Sequence, residues 1–238
     1  MITVCIATYN GGKYIKEQLD SILSQLSADD EVVVSDDCST DDTLQVIENL
    51  GDKRIKVFNH KRGKVKFTND YATANFENAL RHASGDIIFL SDQDDVWMAD
   101  KVATMLRALE QSDMAMSDCM VTDGRLNVLH PSYSKAFVPF SASIIGNFMR
   151  CGFLGSCMAF RRCVLDRTLP FPRYGVGHDI WLGMVGLRHY RFAYVPKPLM
   201  KYRRHTATVT MGGKANSTSL WFKVSYRLYL LKAMLRLI

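Results

Sequence analysis

Ile2-Thr3-Val4-Cys5-Ile6-Ala7-Thr8-Tyr9-Asn10-Gly11-Gly12 is the stretch on which the fold turns. Residues 2–7 form an apolar, uncharged run, the pattern of a strand buried on both faces. Tyr9-Asn10-Gly11-Gly12 then supplies turn residues. Tyr14, Leu19, Ile22, Leu23 and Leu26 follow at roughly helical spacing. The same unit recurs downstream. Residues 31–35 read as a second strand built on Val32, Val33 and Val34. Ser39-Thr40-Asp41-Asp42 opens a helix carrying Leu44, Val46, Ile47 and Leu50. Ile55–Asn59 is a third strand, residues 67–83 a helix and residues 86–90 a fourth strand. Apolar strands alternating with helices predict an α/β fold, a mostly parallel Rossmann-like central sheet flanked by helices. In such sheets ligands bind at the carboxyl ends of the strands. Three polar clusters fall at those ends: Thr8-Tyr9-Asn10, Asp36-Asp37 and Asp92-Gln93-Asp94-Asp95.

Beyond residue 100 the pattern is mixed. Residues 101–111 and 179–187 read as helices, and 114–121 and 192–195 as strands. Residues 151–160 read as a Gly-rich strand near the site, and 203–219 as a flexible loop. The expected organisation is one large domain over 1–210, with a nucleotide-binding half over 1–100 and an acceptor half over 101–210. A loop and a basic amphipathic C-terminal helix occupy 211–238. On that helix Val224, Leu228, Leu231, Leu235 and Ile238 form one narrow apolar stripe, with Lys223, Arg227, Lys232 and Arg236 beside it. Trp221, Tyr226 and Tyr229 suit an interface. Such a helix can lie on an anionic membrane, or pack on the protein body or on a second copy in a homodimer.

The net charge of +6 is divided unevenly. After Asp179 there are eleven Lys or Arg and no Asp or Glu, whereas residues 1–179 hold 19 basic and 24 acidic side chains. A basic tail on an acidic body points to a phosphate-rich ligand, an anionic membrane surface, or both. It does not point to nucleic acid, for which no motif is present. The six cysteines form no CxxC pair and several lie in apolar runs, so they are expected to be reduced core thiols. Neither a signal peptide nor a run of about 18 apolar residues is legible. The expected location is cytoplasmic, peripheral on the inner face of the membrane.

Asp92 and Asp94 place carboxylates at a strand end, where a divalent ion, Mn²⁺ or Mg²⁺, can bridge them to a diphosphate. An acidic helix cap is the competing reading. Asp37 can accept a hydrogen bond from the imide N–H of uracil or thymine. Asp179, in His178-Asp179-Ile180-Trp181, is either a general base or an N-cap. His205, beside Arg203 and Arg204, can contact a diphosphate or complete the metal's ligands.

Taken together and in order, Val4 to Gly11, Ser35 to Asp41, Ala83-Ser84-Gly85-Asp86, Ser91 to Trp97 and His178 to Trp181 resemble the motifs of the inverting family 2 glycosyltransferases of the GT-A fold. The Ser91 to Trp97 stretch is most similar to the rhamnosyltransferase-like members that build surface polysaccharides. The resemblance spans residues 2–210. It implies that Ala7, Thr8, Tyr9, Asn10, Asp37, Asn75, Asp92 and Arg204 bind the donor nucleotide, with Tyr9 stacking on the pyrimidine. It implies that Asp94, Asp92 and His205 serve the metal, Asp94 above all, and that Asp179 is the catalytic base. Many members carry Glu where this chain has His178, and Arg where it has Asn75-Phe76. The implied reaction moves a sugar from a UDP- or dTDP-linked donor to a saccharide hydroxyl, the acceptor being a saccharide or a polyprenyl-diphosphate-linked saccharide. A nucleotidyltransferase and an inactive GT-A scaffold are the alternatives.

Overall fold

The computed structural model describes residues 1–63, 65, 67, 69–172, 175–204 and 220–235 of the 238-residue chain. Its first part is β1 (Ile2–Thr8), α1 (Gly12–Leu23), β2 (Glu31–Asp36), α2 (Thr43–Asn49), β3 (Ile55–Asn59), α3 (Asn69–His82) and β4 (Ile87–Asp92). The second is β5 (Val96–Trp97), α4 (Lys101–Leu109), β6 (Met114–Thr122), β7 (Val128–His130), α5 (Tyr133–Ala136), α6 (Ile144–Met149), a 3₁₀ turn (Gly155–Cys157), β8 (Met158–Arg161), α7 (Arg162–Thr168), α8 (His178–His189), β9 (Phe192–Arg203) and α9 (Leu220–Met234).

One sheet joins the strands in the order β3-β2-β1-β4-β8-β6-β9-β5, with β7 paired to β6. The first four strands are parallel, as their continuous apolar runs require. β8 runs antiparallel to both β4 and β6, and β9 runs parallel to β6. Val4, Cys5, Ile6, Val32, Val33, Val34, Ile88, Phe89 and Leu90 are fully buried. Each such large side chain contributes about 1.5–3 kcal/mol by leaving water. α1 covers one face with Ile15, Gln18, Leu19 and Ile22, spaced at i, i+3, i+4 and i+7.

Three local readings change. Only Met158–Arg161 of residues 151–160 is a strand; the glycine-rich part becomes the 3₁₀ turn. β9 continues from the expected 192–195 to Arg203, through Pro196 and Pro198. Proline cannot donate to a ladder, and the register between β6 and β9 shifts on either side of Asp118, opposite Pro198. The C-terminal helix has two faces. Leu230 and Ala233 are buried on the body, with Tyr226 and Tyr229 half-buried on the same side. Val224, Leu228, Leu231 and Leu235, the stripe expected from the sequence, face outward. Tyr226 and Tyr229 therefore pack inward, and Tyr229 meets Phe67 edge-on at 5.8 Å. The expected loop beyond Arg204, His205, Arg236 and Ile238 lie outside the described residues, as does the side chain of Trp221. Among the described residues no helix is long and apolar enough to cross a membrane. Cys5, Cys119 and Cys157 are buried thiols, whereas Cys38 and Cys163 are exposed.

Candidate active site

The order 3-2-1-4 places a switch point between β1 and β4, and register puts Ala7 of β1 opposite Asp92 of β4 and Ser35 of β2. Three strand ends thus share one rim. Gln93 fastens two of them: it accepts the Tyr9 N–H at 2.9 Å and donates to the Tyr9 carbonyl at 3.1 Å. A Cβ on Gly11 would lie 2.3 Å from the Gln93 side-chain oxygen, so a larger residue there would displace Gln93 from Tyr9. Asn10 takes a left-handed φ of 51°, which asparagine tolerates, and its side-chain oxygen accepts the Thr40 N–H at 2.8 Å. Asp36 accepts from the Thr8 hydroxyl at 2.8 Å and from the Ser39 hydroxyl and N–H. Thr8 and Asp36 therefore serve the framework. Asp37 stays at the rim, 2% exposed, beside His60 and Arg62. Tyr9, 39% exposed, lies there too, with the Arg62 guanidinium on its ring. Asn75 donates to the Thr8 carbonyl at 3.0 Å, and its own buried oxygen has no partner among the described residues.

The acidic segment does not cap a helix. Asp92 ends β4, and a turn carries the chain into β5. Burial, then the neighbouring Asp94, raises the Asp92 carboxyl to about 7; Asp179 adds to the rise and the Ser156 hydroxyl opposes it. Asp95 differs from its neighbours. It is fully buried, accepts the Arg203 N–H at 3.1 Å and anchors β9, while its second oxygen has no partner among the described residues. Burial pushes this carboxyl far up as well. Arg203, passed over in the sequence in favour of Arg204, is the clamp of the loop. It is 4% exposed, donates to the Asp94 carbonyl at 2.8 Å and to Gly124, pairs with Glu17 and lies 4.6 Å from the Tyr14 ring. Its signal in the sequence was only a second arginine in a basic run. Arg204 follows β9 and is half-buried, with its N–H donating to the Thr122 carbonyl.

Asp179 arrives from the far half of the chain. Gly177 is the N-cap of α8, so Asp179 sits in the first turn, and its carboxylate accepts the Ile180 backbone N–H at 2.8 Å. The Asp179 Cβ lies 3.4 Å from where a Cβ on Gly155 would stand, next to Ser156, whose hydroxyl bonds Asp92, and its charge adds to the rise of the Asp92 carboxyl. His178 stacks on Phe76 at 4.1 Å, and burial lowers its pKa, so it packs as a neutral ring. A Cβ on Gly155 would meet His178 at 2.6 Å, which explains why the 3₁₀ turn begins with glycine.

No group of three His, Cys, Asp or Glu converges among the described residues. Among the described residues the rim offers Asp92 and Asp94, and phosphate oxygens of a bound donor could add to them. That donor set fits Mg²⁺ or Mn²⁺, which use one or two carboxylates plus phosphate oxygens and water. The mutual repulsion that raises Asp92 is what a bound cation relieves.

Comparison with known proteins agrees with this geometry. The chain is 28% identical over 211 residues to the dTDP-rhamnosyl transferase RfbG of Shigella flexneri, covering 84% of this chain and 71% of that protein. It is 26% identical over 238 residues to the GalNAc(5)-diNAcBac-PP-undecaprenol beta-1,3-glucosyltransferase of Campylobacter jejuni, covering 96% and 71%. In fold it is similar to Staphylococcus aureus TarS 1–349 in complex with UDP-GlcNAc, with a TM-score of 0.70 at 22% identity over 99% of this chain and 66% of that one. A mannosyltransferase from Pyrobaculum calidifontis in complex with GDP-Man and Mn²⁺ superposes with a TM-score of 0.56 at 24% identity, over 84% and 56%. The architecture is that of the GT-A glycosyltransferases. The sequence profile of Glycosyl transferase family 2 matches residues 3–169, and this chain belongs to that family.

Proposed function

We propose that this glycosyltransferase takes a sugar from a UDP- or dTDP-linked donor and places it, with inversion, on a hydroxyl of a lipid-diphosphate-linked saccharide. The observation that carries the reading is the meeting of Tyr9, Asp37, Asp92 and Asp94 at one sheet rim with Asp179 in electrostatic reach of Asp92. Tyr9 offers a ring for the base to stack on, and Asp37 a carboxylate for its imide N–H. Asp179 takes the proton from the acceptor hydroxyl as that oxygen bonds to the anomeric carbon. The bond from that carbon to the diphosphate breaks on the opposite side, and its electron pair leaves with the nucleoside diphosphate. Asp92 and Asp94 would hold a divalent ion, which when bound neutralises charge on the departing diphosphate. Arg204 and His205 are assigned to the diphosphate side, with His205 a further candidate ligand of the ion; Ala7, Thr8, Asn10 and Asn75 shape the nucleotide's floor.

The relatives favour this reading over its alternatives. RfbG is named for a dTDP-linked donor and the Campylobacter enzyme for an undecaprenol-diphosphate acceptor. Family membership goes against a nucleotidyltransferase, and the retained carboxylates go against an inactive scaffold. The outward stripe of α9, with Arg227 and Lys232 on the same helix, suits a peripheral position on an anionic membrane that carries such an acceptor. Thermal shift with UDP-, dTDP- and GDP-sugars plus Mn²⁺ tests the donor. Stabilisation by pyrimidine donors alone is expected, and stabilisation by GDP-sugars alone overturns it. Flotation on anionic liposomes tests the membrane face, with Leu228→Glu/Leu231→Glu expected to stay in solution. Equal flotation of both proteins removes the role of the stripe.

A further inference from the structure

The ring of Tyr9 is not open. The guanidinium of Arg62, from the connection between β3 and α3, lies 3.5 Å from the Tyr9 ring centroid and 4.4 Å from that of Tyr71. Its Nε donates to Asp37 Oδ2, while His60 Nδ1 lies 2.8 Å from Asp37 Oδ1. A guanidinium is planar, stacks on aromatic faces and donates in its own plane. A pyrimidine with an imide N–H has the same three properties. Arg62 thus uses the two features, an aromatic face and a nearly buried carboxylate, that the proposed function gives to the base. A separation of 3.5 Å is already a stacking distance, so no second ring fits between Arg62 and Tyr9.

We infer that Arg62 is an internal occupant of the nucleobase pocket, which the donor's base must displace to bind. The inference rests on the base site assigned above. Asp37 is 2% exposed and needs a partner whether or not a donor is present. Arg62 supplies the partner of Oδ2 in the free protein, beside His60 at Oδ1, and the imide N–H takes over from Arg62 when the base enters. Arg62, with 34% of its side chain exposed, can then turn toward solvent. The occupied pocket divides the apparent affinity by the fraction of molecules in which it is open. This factor is the same for every nucleotide using the pocket, so Arg62 sets a threshold on donor concentration without changing the preference between bases.

Calorimetry with UDP and with dTDP, each with Mn²⁺, tests this on the full chain. Arg62→Ala is expected to bind both about tenfold more tightly, from the loss of a partly exposed ion pair and of cation–π contacts on Tyr9 and Tyr71, with their ratio unchanged. Arg62→Lys, which keeps a charge for Asp37 but loses the planar stack, is expected to fall between and serves if the alanine variant does not fold. Weaker or unchanged binding in both variants overturns the inference, since Arg62 would then be holding the nucleotide or be indifferent to it. A changed UDP to dTDP ratio does the same. Tyr9→Ala, made in the Arg62→Ala background, separates this from the base-site assignment. Loss of affinity there upholds the site, whatever Arg62 does. No change places the base elsewhere and removes both.

Discussion

The two ends of the same strands treat their carboxylates in opposite ways. At the amino end, Glu31 is 3% exposed and fully engaged: it accepts from Thr3 and Ser84 hydroxyls at 2.6 Å, from the Ser84 N–H at 2.7 Å and from Lys56 at 2.6 Å. Burial alone would raise its carboxyl, but Lys56, Ser84 and Thr3 outweigh it and hold it down at about 2. At the carboxyl end, Asp92 is raised to about 7 by burial and by Asp94. One rim uses its charge for cohesion, and the other crowds carboxylates that the protein itself does not neutralise. A strained electrostatic state at one end is affordable because the other end is satisfied.

The largest effect that sharpens this contrast is expected at Asp179. Asp179→Asn should lower kcat by about 10²–10⁴-fold while leaving nucleotide binding and Tm near wild type. Full turnover in that variant breaks the assignment of the base. Asp94→Asn should come next, with about 10²–10³-fold lower Mn²⁺-dependent turnover and no loss of folding stability. Retained Mn²⁺ stimulation would move the ion elsewhere. At the opposite rim Glu31→Ala should do the reverse: a loss of about 2–3 kcal/mol in urea unfolding, because Thr3 and Ser84 are left without their acceptor, with kcat of the folded enzyme unchanged.

The smallest effect expected is a difference in pH slope. Glu31 has a depressed folded pKa, so its contribution is present above about 4.5 and is lost as pH falls toward about 2. Asp92 has a raised folded pKa, so in the metal-free protein its contribution is present below about 3.8 and is lost as pH rises toward about 7. Tm of metal-free protein between pH 5 and 8 should therefore climb by a few degrees, relative to wild type, when Asp92 is replaced by Asn. Identical slopes for the two proteins would show that Asp92 is not held protonated.

The legibility of the chain follows the same division. β1 to β4 could be read from residues 1–100 because each unit is local: an apolar run, a polar strand end, a helix with one buried face. The second half could not be read so well, because its partners are distant. β9 looked like four residues, since Pro196 and Pro198 argue against a strand, and only pairing with β6 across a register shift carries it to Arg203. Arg203 looked like one more cation of a basic tail until the fold buried it against Asp94 and Glu17. The C-terminal stripe was legible as a pattern, but its outward direction was decided by Leu230 and Ala233 taking the body.

The sequence by itself determined the α/β class and the family motifs, and singled out Tyr9, Asp37, Asp92, Asp94 and Asp179 as candidates, because strand periodicity and polar strand ends are local properties of the chain. Tertiary structure decided which of those residues meet, that Asp95 turns inward while Asp92 and Asp94 stay at the rim, and that Arg62 lies on Tyr9. Those outcomes depend on charges and rings brought together across 50 to 190 positions of chain, as from Glu17 to Arg203 or Tyr9 to Arg62. Burial and electrostatics act through space, and their sign at a given residue is set only when the fold has chosen its neighbours.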